Sequence, residues 1–194
     1  MSATTNCKNA AIAATLPDQI ALHSGFPGLV GANEISGGAP AYARVAPSFG
    51  SVSGASASTT AAMTFNVPAG TTVRWVTGLK GGVSFWVTPN GGSPKEFIAD
   101  PALDLIRATG HGYIDTQKVV FWGGTVPGGL TEGAVYYVRD AAADTFKVAA
   151  TSGGAAIDIT SAGSGDCQMS FIAEDSYPTQ DTHTLSNYSA GAPF

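Results

Sequence analysis

The chain has 194 residues and a formal net charge of −5, from 14 acidic against 9 basic side chains. Only 12% of residues are charged and 44% are hydrophobic, while 25 glycines and 11 prolines punctuate the whole length, a mixture that suits many short strands joined by turns. The basic side chains are scattered, so the clustered Lys and Arg that neutralise phosphate are missing and nucleic acid is not an expected partner. No stretch approaches the roughly 20 apolar residues that span a bilayer, and membrane insertion is not expected either.

The length admits one domain or two small ones, and two fit the texture better. The N-terminus lacks a basic segment followed by an apolar run and a cleavage site, so export by a standard signal is not expected. Cys7 and Cys167 lie far apart with no CxxC spacing, which predicts two free thiols in a reducing cytoplasm. The sequon Asn187-Tyr188-Ser189 carries no weight without secretion.

In chain order, Asn9 to Leu16 is Ala-rich and stopped by Pro17, which predicts a short N-terminal helix. Gln19 to His23 alternates as a strand, and the Gly/Pro-dense stretch from Gly25 to Pro40 predicts a long loop. Ala41 to Val45 reads as a second strand by alternation. Gly50 to Ala61 is a Ser/Ala/Gly connection in which a few residues could pair at an edge. Met63 to Val67 and Thr71 to Val76 flank Pro68-Ala69-Gly70 and predict an antiparallel pair; with Val83 to Val87 they make a β meander.

Beyond Pro94 the texture repeats. Ile98 to Thr109 carries period-2 apolar positions, and Gly110-His111-Gly112 marks a tight turn. Lys118 to Trp122, Ala134 to Arg139, Thr145 to Ala149 and Cys167 to Ile172 read as strands of a five- or six-strand unit over residues 98–171. Strands at spacings of about 8–12 residues, with no long helical pattern between them, predict sandwich or barrel architecture rather than βαβ units.

Two sets of segments resemble pieces of tailed-phage proteins. The first is Ile20 to Gly25, Gly31 to Gly38, Pro40 to Arg44 and Phe65 to Val73, which is similar to a family of small virion proteins described as putative tail fibre or minor tail proteins. The second is Ala108 to Gly112, Lys118 to Phe121, Gly129 to Gly133, Tyr136 to Val138, Thr145 to Ala149 and Gly153 to Asp158. It resembles a β module that recurs in phage structural proteins. In shorter members of the first family, the strand matching Val83 to Val87 runs straight into one matching Tyr177 to Leu185. The resemblance therefore implies a virion part with a discontinuous first domain, residues 1–97 plus 172–194, carrying an inserted module at 98–171. The expected fold class is all-β: an antiparallel, jelly-roll-like β-sandwich with a short N-terminal helix and an inserted small β-barrel or sandwich module.

Chemistry is sparse. His23, His111 and His183 show no HxH, HxxxH or HExxH spacing, and no metal site is expected. Asp100, Asp104, Asp115 and Glu132 would be the carboxylates of a glycoside hydrolase, but carboxylates in turn-rich segments ordinarily hold turns or face solvent. Gly163-Ser164-Gly165 is too short to cradle phosphate, so no cofactor or nucleotide is expected. Trp75, Trp86 and Trp122 lie in apolar strands and read as core. Tyr136 and Tyr137 are adjacent, so one of them faces outward. Trp122, Tyr136, Tyr137 and His111 are the candidate surface or interface contacts, with no catalytic residue among them.

The expected function is a non-enzymatic structural subunit on the exterior of a tailed-phage particle, tail-associated as a fibre, tail-tip or minor tail protein. The alternative is a capsid decoration, head-spike or head-fibre protein, and a further one is a glycan- or receptor-binding adhesin acting through the inserted module. The expected partners are other virion proteins, further copies in a trimer or ring, and a host surface glycan or receptor. Assembly is expected in the host cytoplasm, with a loose tail from Tyr188 to Phe194 available for packing between copies.

Overall fold

The computed structural model describes residues 3–191. It is an all-β, sandwich-like protein with one short helix, and its sheets are antiparallel in every registered strand pair. Two compact units divide the chain: an outer one formed by Met1–Thr88 with Glu174–Phe194, and an inner one formed by Pro89–Ala173.

The outer unit opens with helix α1 (Ala3–Thr15), which starts earlier than Asn9 and stops before Pro17. Strand β1 (Gln19–His23) follows, then a single 3-10 turn at Gly28–Val30. The segment Ala41–Val45 is not a strand. Its one ladder contact is a bridge from Val45 to Ile20, and Tyr42 is held instead by donation from the Leu22 amide to its hydroxyl at 2.8 Å. β2 (Ser56–Ser58), β3 (Met63–Val67), β4 (Thr71–Val73), β5 (Trp75–Lys80) and β6 (Val83–Pro89) complete the first half.

The inner unit contains β7 (Lys95–Glu96), β8 (Ile98–Asp100), β9 (Leu105–Arg107), β10 (Lys118–Trp122), β11 (Val135–Arg139), β12 (Thr145–Ala149) and β13 (Gln168–Phe171). They form one sheet in the order β7-β13-β10-β11-β12-β9-β8. Only Phe97 separates β7 from β8, so one continuous strand pairs with β13 at its start and with β9 at its end. The sheet therefore closes on itself as a small barrel, which removes its free edges. Phe97 sits at the seam, edge-on to Phe121 with ring centroids 5.2 Å apart. Val119, Phe121, Val138, Phe146, Val148, Ile106 and Met169 fill the interior, as alternation along each strand requires. Because Lys95 and Glu96 belong to this barrel, the inner unit begins at Pro89 rather than at 98 and ends at Ala173 rather than at 171.

The chain then returns to the outer unit as β14 (Asp175–Tyr177), β15 (Asp181–Leu185) and β16 (Ser189–Gly191), which pair with β4, β3 and β2 respectively. The register is unbroken from Val73↔Asp175 through Val67↔Asp181 to Met63↔Leu185, and it shifts by one residue before Ser58↔Ser189. These three short sheets are thus consecutive stretches of one two-stranded ribbon. Pro68-Ala69-Gly70 interrupts this ribbon without reversing it, so β3 and β4 do not pair with each other and that expected pair is replaced by long-range pairing, whereas the expected step through Gly81-Gly82 does pair β5 with β6. Tyr188 and Ala190 are buried, so the expected loose tail is a paired strand up to Gly191; residues 192–194 lie outside the described part.

Against the ribbon stands a three-stranded sheet in the order β1-β5-β6. The core between the two layers holds Ile20 and Leu22 from β1, Val76 from β5, and Met63, Phe65, Val67 and Val73 from the ribbon. Burying such side chains is the main favourable term in folding. The middle strand β5 is buried from Trp75 to Leu79. At Gly78 a Cβ would lie 2.5 Å from Pro17 Cγ and 2.8 Å from the Tyr188 hydroxyl, so only glycine fits there.

Candidate functional site

The four side chains singled out as contacts do not share a surface. Tyr136 is 7% exposed, and its hydroxyl accepts the Thr131 amide at 2.7 Å. Trp122 is buried at the end of β10. His111 is buried as well, packed on Phe146 with centroids 5.0 Å apart, and its Nδ1 accepts the Tyr113 amide at 2.9 Å. All three are corrected to buried residues: inward alternation claims Tyr136, the glycine turn folds His111 against Phe146, and Trp122 is covered on the face of β10 opposite Phe121, outside the core cluster. Tyr137 is half-buried and points away from Tyr136, so it alone remains available.

The carboxylates considered for hydrolysis hold the backbone. Asp104 accepts the Ile159 amide at 2.9 Å, Asp115 that of Ala141 at 2.9 Å, and Glu132 that of Gly123 at 3.0 Å. Asp100 accepts the Ala102 amide and pairs with Arg107 at 2.6 Å; that hydrogen-bonded guanidinium holds its carboxyl below the usual range. Among the described residues, no three His, Cys, Asp or Glu side chains are grouped to hold a metal, and no helix is long and apolar enough to cross a membrane. Cys7 and Cys167 are free thiols. Burial, with Glu132 adding to it, pushes the Cys167 thiol up to about 11, which keeps it protonated and unreactive near neutrality.

The feature that sequence reasoning missed is a polar cleft of about 380 Å³ in the outer unit. One wall is Ser24, Glu34, Ile35 and Ser36, from the loop after β1. The other is Gly70, Thr71, Thr72 and Arg74, at β4. Both charged groups are fixed by partners. Arg44 donates to both oxygens of Glu34, at 2.8 and 2.7 Å. Arg74 donates from Nε to Glu174 at 2.6 Å and from Nη1 to the Ser24 carbonyl at 2.8 Å. No spacing in the sequence announces this site, because Glu34 and Arg74 come together only through the pairing of β1 with β5, in which His23 faces Trp75.

The outer face of the ribbon continues from this cleft. Thr72 and Ser176 share a hydrogen bond at 3.1 Å, and Ser58 and Ser189 share one at 2.8 Å. Between them, Asn66 faces Thr182 and Thr64 faces Thr184. Beyond the Arg74–Glu174 pair, these cross-strand pairs present only hydroxyl and amide groups.

A second exposed feature of the outer unit is apolar. Leu29 and Val30 are 85% and 89% exposed on the 3-10 turn. Gly28 at φ 55° and Gly31 at φ 70° bracket the turn, and the Asn33 side chain closes it by donating to the Phe26 carbonyl at 2.9 Å. Gly28 and Gly31 take left-handed conformations that side-chain-bearing residues rarely adopt.

No protein-family model, curated protein or solved structure matches the chain.

Proposed function

We propose that the protein is a non-enzymatic structural subunit on the exterior of a tailed-phage particle, tail-associated as a fibre, tail-tip or minor tail protein. The ordered resemblance of two separate sets of segments supports this reading, and the observation that carries it is the Leu29–Val30 turn. Two adjacent aliphatic side chains that stay 85% and 89% exposed on a loop pinned by left-handed glycines are pre-organised for a partner, which lowers the ordering cost of association. Asp104, Asp115 and Glu132 each accept a backbone amide.

The test is cryo-electron microscopy of purified particles that contain this chain. Density at the tail supports the proposal, density on the capsid lattice replaces it with a decoration or head-spike role, and absence from the particle overturns both. Leu29→Ser together with Val30→Ser should reduce incorporation or self-association in sedimentation while leaving the circular dichroism spectrum unchanged.

A further inference from the structure

We infer that the cleft between the loop after β1 and strand β4 is a binding site for a neutral saccharide, one sugar ring at a time, with longer chains continuing onto the hydroxyl face of the ribbon. Its volume of about 380 Å³ falls within the roughly 300–1,000 Å³ of small-molecule sites, and its wall chemistry selects the ligand class.

The charge balance comes first. Glu34 is satisfied by Arg44, and Arg74 by Glu174, so the cleft has no surplus positive charge for a phosphate or carboxylate and no surplus negative charge for a cation. What remains is hydrogen-bonding capacity held in place. An ionised carboxylate offers about four lone-pair sites; Arg44 takes one on each Glu34 oxygen and the Tyr42 hydroxyl hydrogen-bonds the same carboxylate, leaving acceptor capacity for one further donor. Opposite it stand Thr71 and Thr72, with Ser24 and Ser36 on its own wall; the Ser24 hydroxyl donates to the Asn33 carbonyl and keeps its acceptor side, and the Thr72 hydroxyl, bonded to Ser176, keeps one further bond. Adjacent hydroxyls of a sugar match such a set: one donates to the carboxylate while its neighbour exchanges hydrogen bonds with the wall hydroxyls. Ile35, 5% exposed, belongs to the core beneath the cleft and anchors its wall.

Preorganisation is the second support. Ser24 is tied to the site from both directions: its amide donates to the Asn33 carbonyl at 3.0 Å, and its own carbonyl takes Arg74 Nη1. Binding therefore needs little reordering of the walls, although water competes for every open hydroxyl. Affinity at one cleft is expected in the millimolar range, multiplied where several copies engage one glycan.

The experiment is a ¹H–¹⁵N NMR titration of the full chain with neutral hexoses, N-acetylhexosamines and their disaccharides at millimolar concentration, with sialic acid and inorganic phosphate as charged probes. The expected result is saturable shifts at residues 24, 34–36 and 70–74 for a neutral sugar, weakened at least threefold in Thr72→Val. Ile114→Ser, at an exposed position of the inner unit, should bind as the parent does. Thermal melting of both variants checks that the fold is kept, and Ser36→Ala serves as the second cleft variant if Thr72→Val melts early. No saturable shift with any neutral sugar, shifts located in the inner barrel, preference for the charged probes, or unchanged affinity in the cleft variants would each overturn the inference. None of these outcomes bears on the location of the chain in a particle, which the microscopy decides separately.

Discussion

Arg74 and Glu174 meet at 2.6 Å although a hundred positions separate them in the chain. They stand next in line after Val73↔Asp175, so the ion pair marks the point where the returning segment is locked beside β4. Replacing Arg74 by Met should destabilise the outer unit by about 1 kcal/mol, the scale of a partly exposed pair. A double-mutant cycle with Glu174→Gln in urea unfolding should return a coupling of about 0.5–1 kcal/mol that shrinks with added salt.

Tyr136 and Tyr137 test the division between interior and surface. Tyr136→Ala should cost about 3–5 kcal/mol by opening a cavity among the barrel residues, and Tyr136→Phe about 1 kcal/mol for the lost hydrogen bond to the Thr131 amide. Tyr137→Ala should stay within about 1 kcal/mol. Thermal melting of the three variants gives the comparison, and equal losses at both positions would contradict the alternation along β11.

Acid should weaken the outer unit before it titrates ordinary carboxylates. Burial disfavours the charged rings of His23 and His183 and lowers both below the usual 6.5, although Asp175 beside His183 and Glu34 near His23 oppose the shift. Burial keeps His23 neutral although its Nδ1 donates to the Ala32 carbonyl, a bond that favours the charged ring; Nε2 then accepts from Thr77, both contacts being 2.8 Å. Between the lowered native value and 6.5 the unfolded chain binds protons that the native chain does not, so stability is complete above 6.5 and declines as the pH falls through that value. Urea midpoints should drop between neutral pH and about pH 5. His183→Leu should reduce that slope, and a profile flat over this range would contradict the assignment.

The inner barrel has ends that meet: the Ala173 amide donates to the Asn90 carbonyl at 2.8 Å. Residues 89–173 expressed alone should give a dispersed NMR spectrum and a cooperative melt. Joining Thr88 to Glu174 through a short glycine linker should leave the outer unit folded, because a loop that short adds little closure entropy. Loss of β content in the joined form would show that the outer unit depends on the barrel.

Strand positions were legible because period-2 alternation is local, as in Met63 to Val67 or Val135 to Arg139. Strand partners beyond the local hairpins were not. Pro68-Ala69-Gly70 has the composition of a hairpin turn, yet its flanking strands continue in one direction because β14 and β15 supply partners that local pattern cannot see. Ala41–Val45 alternates convincingly, but Tyr42 is spent on the Leu22 amide and on stacking against Phe65, 6.4 Å away. The cleft was illegible for the same reason as the ribbon: Glu34 and Arg74 become neighbours only in three dimensions. His111 and Trp122 misled because a turn histidine and an end-of-strand tryptophan read alike whether they face in or out.

The ribbon also sets an order of events during synthesis. Residues 56–73 leave the ribosome with no strand beside them, and their partners at 175–191 follow only after the whole barrel has been made, about 5–20 s later at ordinary elongation rates. In that interval the barrel can close by itself while half of the outer sandwich waits as an open edge, the kind of surface that recruits wrong partners. Thr64, Asn66 and Thr72, where apolar side chains would have made that edge adhesive on both faces, keep the waiting strand wet on one side until its own C-terminal segment arrives.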